Sequence, residues 1–156
     1  MKRVFICSLL LVMSFATAEA RKPWDHRRDP NPSFGEEPAE GTPDADIIRA
    51  VNGRKRLNFV EGSGMVVTKV LPDDTSGLKH QKFFVRLTNG VEIQAVYNLD
   101  MCPRVPVQVG DTVAIGGMFL WLGKHGMLHW LHHDPKGNRP AGYVELDGKF
   151  YCKDWR

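Results

Sequence analysis

His80-Gln-Lys-Phe-Phe-Val-Arg-Leu-Thr-Asn-Gly-Val-Glu-Ile-Gln-Ala-Val-Tyr97 reads as a β-hairpin. Phe83, Val85 and Leu87 alternate with His80, Lys82, Phe84 and Arg86. A two-residue period sends the two sets to opposite faces of a strand, one apolar and one mostly polar. Asn89-Gly90 tolerates the positive φ of a tight hairpin turn, and Val91–Tyr97 is the return strand.

The flanking chain continues the pattern. Upstream, Met65–Leu71 is a β-branched strand, followed by a polar loop over Pro72–Gly77. Downstream, a Pro-bearing loop and Gly110-Asp111 lead into a strand over Thr112–Leu122. Gly123–Gly126 then turns the chain into Met127–His133. Asp134-Pro-Lys-Gly137 carries the residues of a type I turn, and Asp147-Gly148 joins a last hairpin, Tyr143–Glu145 with Lys149–Tyr151. One helix precedes the strands. Thr42 is its N-cap, Pro43 its first residue and Asp44 its first-turn acid; Ile47, Ile48 and Val51 share a side, and Asn52-Gly53 ends it. Five or more short strands with Gly-rich corners and one short N-terminal helix predict a mainly β chain. The architecture expected is a small OB-like β-barrel, with a β-sandwich as the alternative.

The N-terminus reads as an export signal. Lys2 and Arg3 precede the apolar Val4–Ala16, and Ala18-Glu19-Ala20 is a small-x-small cleavage site. The apolar run is too short for a membrane span, and Cys7 is misplaced for lipidation. The domains expected are a signal peptide at 1–20, a flexible Pro- and charge-rich leader at 21–41 and a single barrel domain at 42–156. His26 and Arg27-Arg28 fall in the leader. The expected location is periplasmic or secreted. The formal net charge is +3, and removing the signal lowers it by one, too little to argue for nucleic acid by itself. Of three cysteines, Cys102 and Cys152 remain after cleavage. An even pair in an oxidising compartment suggests an intrachain disulfide Cys102–Cys152, worth roughly 3–4 kcal/mol on the chain-entropy model; two buried free thiols are the alternative.

Chemistry concentrates in Gly126-Met-Leu-His-Trp-Leu-His-His-Asp-Pro135, which holds three of the six histidines beside a carboxylate. Imidazole is a common metal ligand and the usual proton carrier near neutral pH. A two-residue loop at Gly123–Gly126 would pair Leu122 with Met127 and Gly117 with His132. His129 and His133 would then share one face, with His132 on the other, unless a bulge or strand end intervenes. Gly116 and Gly117 would leave space for imidazole rings. Each residue also has an ordinary reading. His129 fits a hydrogen-bonded core histidine, Asp134 a turn cap, and His125 an exposed loop tip. Asp73 and Asp74 fit turn residues, Asn98 and Asp100 Asx-turn caps, and Arg104 a surface ion pair.

The chain resembles an uncharacterised family of small exported bacterial proteins, a domain of unknown function. The matching stretches lie within residues 60–150. They are Leu71-Pro-Asp-Asp74, Gly77 with His80-Gln81-x-Phe83, Asn98-x-Asp100 with Pro103-Arg104, Gly110-Asp111, and the more specific His129-Trp-x-His-His-Asp-Pro135. The family pattern has a histidine before the Asn of Asn-x-Asp, where this chain has Tyr97. It has another near Asn138-Arg139-Pro140 and Gly142-Tyr143, where this chain has none. The resemblance implies no activity.

Two functions are expected. The first is a metal-assisted hydrolase acting on phosphodiesters. His129, His132 and His133 would hold a divalent ion, and His80, Asp100, Arg104, His133 and Asp134 would be catalytic, Arg104 facing developing negative charge. The substrate would be polymeric or anionic. A histidine general base without metal is a variant. The second is a non-catalytic binding module for an oligonucleotide, glycan or peptide, stacking on Trp121, Trp130, Phe84 and Tyr97. A third possibility is structural, with the histidines and tryptophans forming a polar-tipped core. No GxSxG, HExxH or CxxC signature is present.

Overall fold

A single long strand, β1 (Leu57–Leu71), makes closure of the sheet possible. Its first part pairs with β4 (Thr112–Trp121), from Leu57↔Phe119 to Val66↔Thr112. Its second part pairs with β2 (His80–Arg86), from Val66↔Arg86 to Leu71↔Lys82. The strand expected from Met65 starts earlier, at Leu57, and Gly62-Ser63-Gly64 is a bend within it. The register shifts between Gly62 and Met65, Gly64 takes φ +72°, and a Cβ on Gly62 would sit 2.9 Å from the Asp44 Cα. Glycine lets the strand bend there beneath the helix.

The computed structural model describes residues 35–74 and 76–154. The expected signal at 1–20, with His26 and Arg27-Arg28 of the leader, lies outside the described residues. After β2 come β3 (Glu92–Asn98), β4, β5 (Gly126–His129), β6 (Tyr143–Leu146) and β7 (Lys149–Tyr151). The sheet order is β1-β2-β3-β5-β4, closed by the β1–β4 pairing, and β6 and β7 extend from β4. The β3–β5 contact is parallel, and the other strand pairs are antiparallel. This is the expected barrel, five-stranded and closed; a sandwich would need two separate sheets. The interior is filled by Met65, Phe83, Ile93, Ile115, Phe119 and Leu128.

The hairpin is as its alternation predicts. Gln81, Phe83 and Val85 are buried, and Gly90 N–H donates to the Leu87 carbonyl. The helix α1 (Ala45–Gly53) starts later than expected, with Asp44 rather than Thr42 at its N-cap, and Arg54 at φ 49° ends it. Asp44 is fully buried because its carboxylate points away from the helix. It accepts from Thr88 N–H at 2.8 Å and Thr88 Oγ1 at 2.5 Å, tying α1 to the β2–β3 turn. Part of the expected leader contacts the helix. Asn52 holds Gly35 N–H and the Glu36 carbonyl, and Arg49 pairs with Glu37, so residues 35–37 dock on α1.

Among the described residues no helix is long and apolar enough to cross a membrane. Cys102 and Cys152, 50 residues apart, stand at disulfide distance, with Cα–Cα 5.6 Å.

Candidate functional site

The edge of β4 opposite β1 is shared by two short strands. β5 covers Met118–Trp121 and β6 covers Val113–Gly116, both antiparallel to β4. They are two halves of one strand position, and residues 130–142 leave the sheet between them and return. The β4–β5 register is Met118↔His129 to Trp121↔Gly126, and Leu122 N–H donates to the His125 carbonyl, so the two-residue loop is Gly123-Lys124 and Leu122 faces His125 rather than Met127. That shift of two residues preserves the faces expected through His129. The alternation fails one residue later, because Trp130 adopts φ 59°. A left-handed residue ends strand geometry and re-aims the chain beyond it.

The kink redistributes the expected site. Leu131 turns into the core and is fully buried. The space beside Gly117 is occupied by Leu131 and the His129 carbonyl, and that beside Gly116 by the Tyr143 ring, not by imidazoles. Gly142 N–H donates to the His132 carbonyl at 2.9 Å, closing the base of the excursion. His129 and His132, expected on opposite faces, now line the same cleft, whereas His133 does not.

The cleft, of about 680 Å³, opens where the β3–β5 ladder stops after Gln94↔Met127 and Ala95↔Leu128. Val96, Asn98, Met101 and His80 form one wall. His129, Trp130, His132, Asp134, Lys136 and Arg139 form the other. The His80 and His129 rings are 6.0 Å apart between centroids, and His132 lies 4.5 Å from the Trp130 ring. The Arg139 guanidinium stands 4.8 Å over the Trp130 ring.

Asp74, which reads from sequence as a turn residue, is the partner of His80, with Oδ2 2.9 Å from Nδ1. Hydrogen bonds from Lys82 and His80 hold the Asp74 carboxyl below the usual carboxylate range. With Asp74 ionised, Nδ1 carries the proton and Nε2 is left for a ligand. Burial, then the nearby His80 and His132, push His129 below the ordinary imidazole range. Burial also lowers His132, whose Nδ1 lies 2.7 Å from the His133 carbonyl.

Other expected site residues have structural duties. Asp134 accepts from Lys136 N–H and Asn138 N–H, which lowers its pKa and fixes the turn. Asp100 accepts from Lys79 N–H, and Arg104 pairs with Asp73; neither lines the cleft. His133 donates its N–H to the Cys152 carbonyl, and its Nδ1 is buried without a partner. The expected metal trio is not assembled, because the kink separates His133 from the other two. Among the described residues no three His, Cys, Asp or Glu side chains are grouped to hold an ion. The expected stacking surface is also divided. Tyr97 is fully buried, its hydroxyl donating to the Pro103 carbonyl, while Trp121 carries Arg54 instead of meeting Trp130. Lys136 and Arg139 are the cleft residues sequence reasoning missed. Only their place after the histidine run marks them, and the kink gives that place its meaning.

No curated protein and no solved structure matches the chain. A family model does match, over residues 33–152, and so spans the helix, the barrel and both walls of the cleft. The chain belongs to the family described as Protein of unknown function (DUF3465), the kind of family its motifs suggest.

Proposed function

We propose that the cleft cleaves phosphodiesters by imidazole acid–base chemistry. The observation that carries this is the pair of histidines at its mouth. His80 is oriented by Asp74, and His129 lies 6.0 Å away, centroid to centroid, with Arg139 and Lys136 on the same cleft. A phosphoryl group between the rings would lie within reach of a hydrogen bond of about 3 Å from each. His129, neutral through burial, takes the proton of the attacking hydroxyl. His80, acting as the imidazolium with its Nδ1–H held by Asp74, gives its Nε2 proton to the leaving oxygen, and Arg139 and Lys136 face the charge developing on the non-bridging oxygens. Among the described residues no Ser, Thr or Cys side chain lines the cleft, so the nucleophile is water or a substrate hydroxyl. This is the metal-free variant of the hydrolase reading, chosen because the donor set does not converge on an ion.

The test is cleavage of single-stranded RNA and DNA homopolymers by the full chain in excess chelator. His80→Ala and His129→Ala are each expected to lower turnover about 10²–10⁴-fold. Chelator-sensitive cleavage would restore the metal-assisted mechanism. No cleavage, with binding retained, would leave a non-catalytic binding module. Trp130 favours that second reading, since its ring offers a planar wall beside the cations of the cleft.

A further inference from the structure

The cleft exists because two walls stop being hydrogen-bonded as strands. On one side β3 continues to Asn98 and then to Met101; on the other the chain leaves the sheet at Trp130. Beyond Ala95↔Leu128 the β3–β5 ladder contributes nothing to their spacing. Cys102 follows Met101 directly, so it belongs to the first wall. Cys152 reaches the second, because its carbonyl accepts the His133 N–H at 3.0 Å. Both cysteines are buried, and Cys152 takes φ 67°, a conformation that aims its backbone away from β7.

We infer that the Cys102–Cys152 bridge is the positioning element of the cleft, setting the distance between its walls and the placement of His132. The link runs from the β3–β4 loop, through the two sulfurs, to the Cys152 carbonyl and the His133 N–H. The adjacent His132 is fixed from both sides, by that bond and by the Gly142 N–H on its own carbonyl. The barrel does not need the bridge to close, because β1–β4 and β1–β2 close it elsewhere. Opening the bridge therefore widens the cleft while leaving the barrel intact. Reduction by a dithiol does this in balance. Two electrons and two protons pass to the cysteine sulfurs, and the reagent leaves as its own cyclic disulfide. The inference rests on the cleft geometry, not on phosphodiester cleavage.

The experiment is histidine NMR on the full chain, oxidised, dithiol-reduced and as the Cys102→Ser/Cys152→Ser double variant. Circular dichroism monitors the fold in each. His132 ring resonances are expected to move, and its titration midpoint to rise toward the ordinary imidazole range as burial is relieved. His125, beside Phe84 at the β4–β5 turn, stays in place as the internal reference. Unchanged His132 resonances, with only a lower melting temperature, would make the bridge a stabiliser and overturn the inference. Loss of the fold in both reduced and variant protein would overturn it too, since the bridge would then be holding the barrel. None of these outcomes requires a substrate, so they are independent of the cleavage assay.

Discussion

His129 and His132 are buried enough that folding disfavours their charged forms, with desolvation the leading cause at both. The unfolded chain therefore binds more protons than the native one below the ordinary imidazole value of 6.5. The stabilising difference is fully present above that value and is lost as pH falls from it through the lowered native pKa values. Asp74 and Asp134 work in the same direction but lower down, since their carboxyls titrate from an ordinary value of 3.8. The melting temperature is thus expected to drop in two separate windows on acidification. Thermal scans between pH 7 and pH 5 should show the first, flattened in His129→Asn and His132→Asn. A curve through that window identical in both variants to that of the unmodified chain would refute the assignment. The reason the two histidines' shared surroundings could not be read in advance lies between them. Trp130 breaks the alternation at φ 59°, and nothing in a tryptophan's chemistry advertises a left-handed backbone.

The elements with strong local signals were legible. The His80–Tyr97 hairpin combines strict alternation with Asn-Gly, and the Asp147-Gly148 hairpin carries its own turn chemistry; both form as read. Elements whose ends depend on contacts from elsewhere were not. β1 runs through Gly62-Ser63-Gly64 only because α1 packs over the bend, and α1 begins at Ala45 because the Asp44 carboxylate is engaged by Thr88. That clamp is the element-scale contact to test. Asp44→Ala leaves the Thr88 N–H and hydroxyl without their shared acceptor and detaches α1 from the hairpin. Hydrogen bonds to a charged group are worth about 1.5–3 kcal/mol each, and water recovers part of that at the exposed Thr88. Urea unfolding is expected to show a loss of about 2–4 kcal/mol with the denaturant slope unchanged. A loss below about 0.5 kcal/mol would mean that water replaces the carboxylate at no cost.

At the scale of the whole barrel, closure depends on seams of unequal strength. The β1–β4 seam spans Leu57↔Phe119 to Val66↔Thr112, whereas the parallel β3–β5 seam has only Gln94↔Met127 and Ala95↔Leu128. Strand pairs with few ladder bonds open at lower free energy than those embedded in long ones. Placing the cleft at the short seam makes one feature serve two purposes. The unpaired end of β3 becomes a wall, and the chain that would have continued β5 is free to carry His132, Lys136 and Arg139. The Gln81 side chain limits how far that opening spreads, since it bonds the Val105 backbone on both sides and pins the β3–β4 loop. Hydrogen exchange is expected to separate the seams. The amides of Gln94 and Leu128, which face that seam, should exchange faster than those of the β1–β4 ladder, and should slow when a ligand bridges the cleft walls. Equal protection at both seams would show that the barrel opens only as a unit, and that the cleft is a rigid recess rather than the loosest joint of the fold.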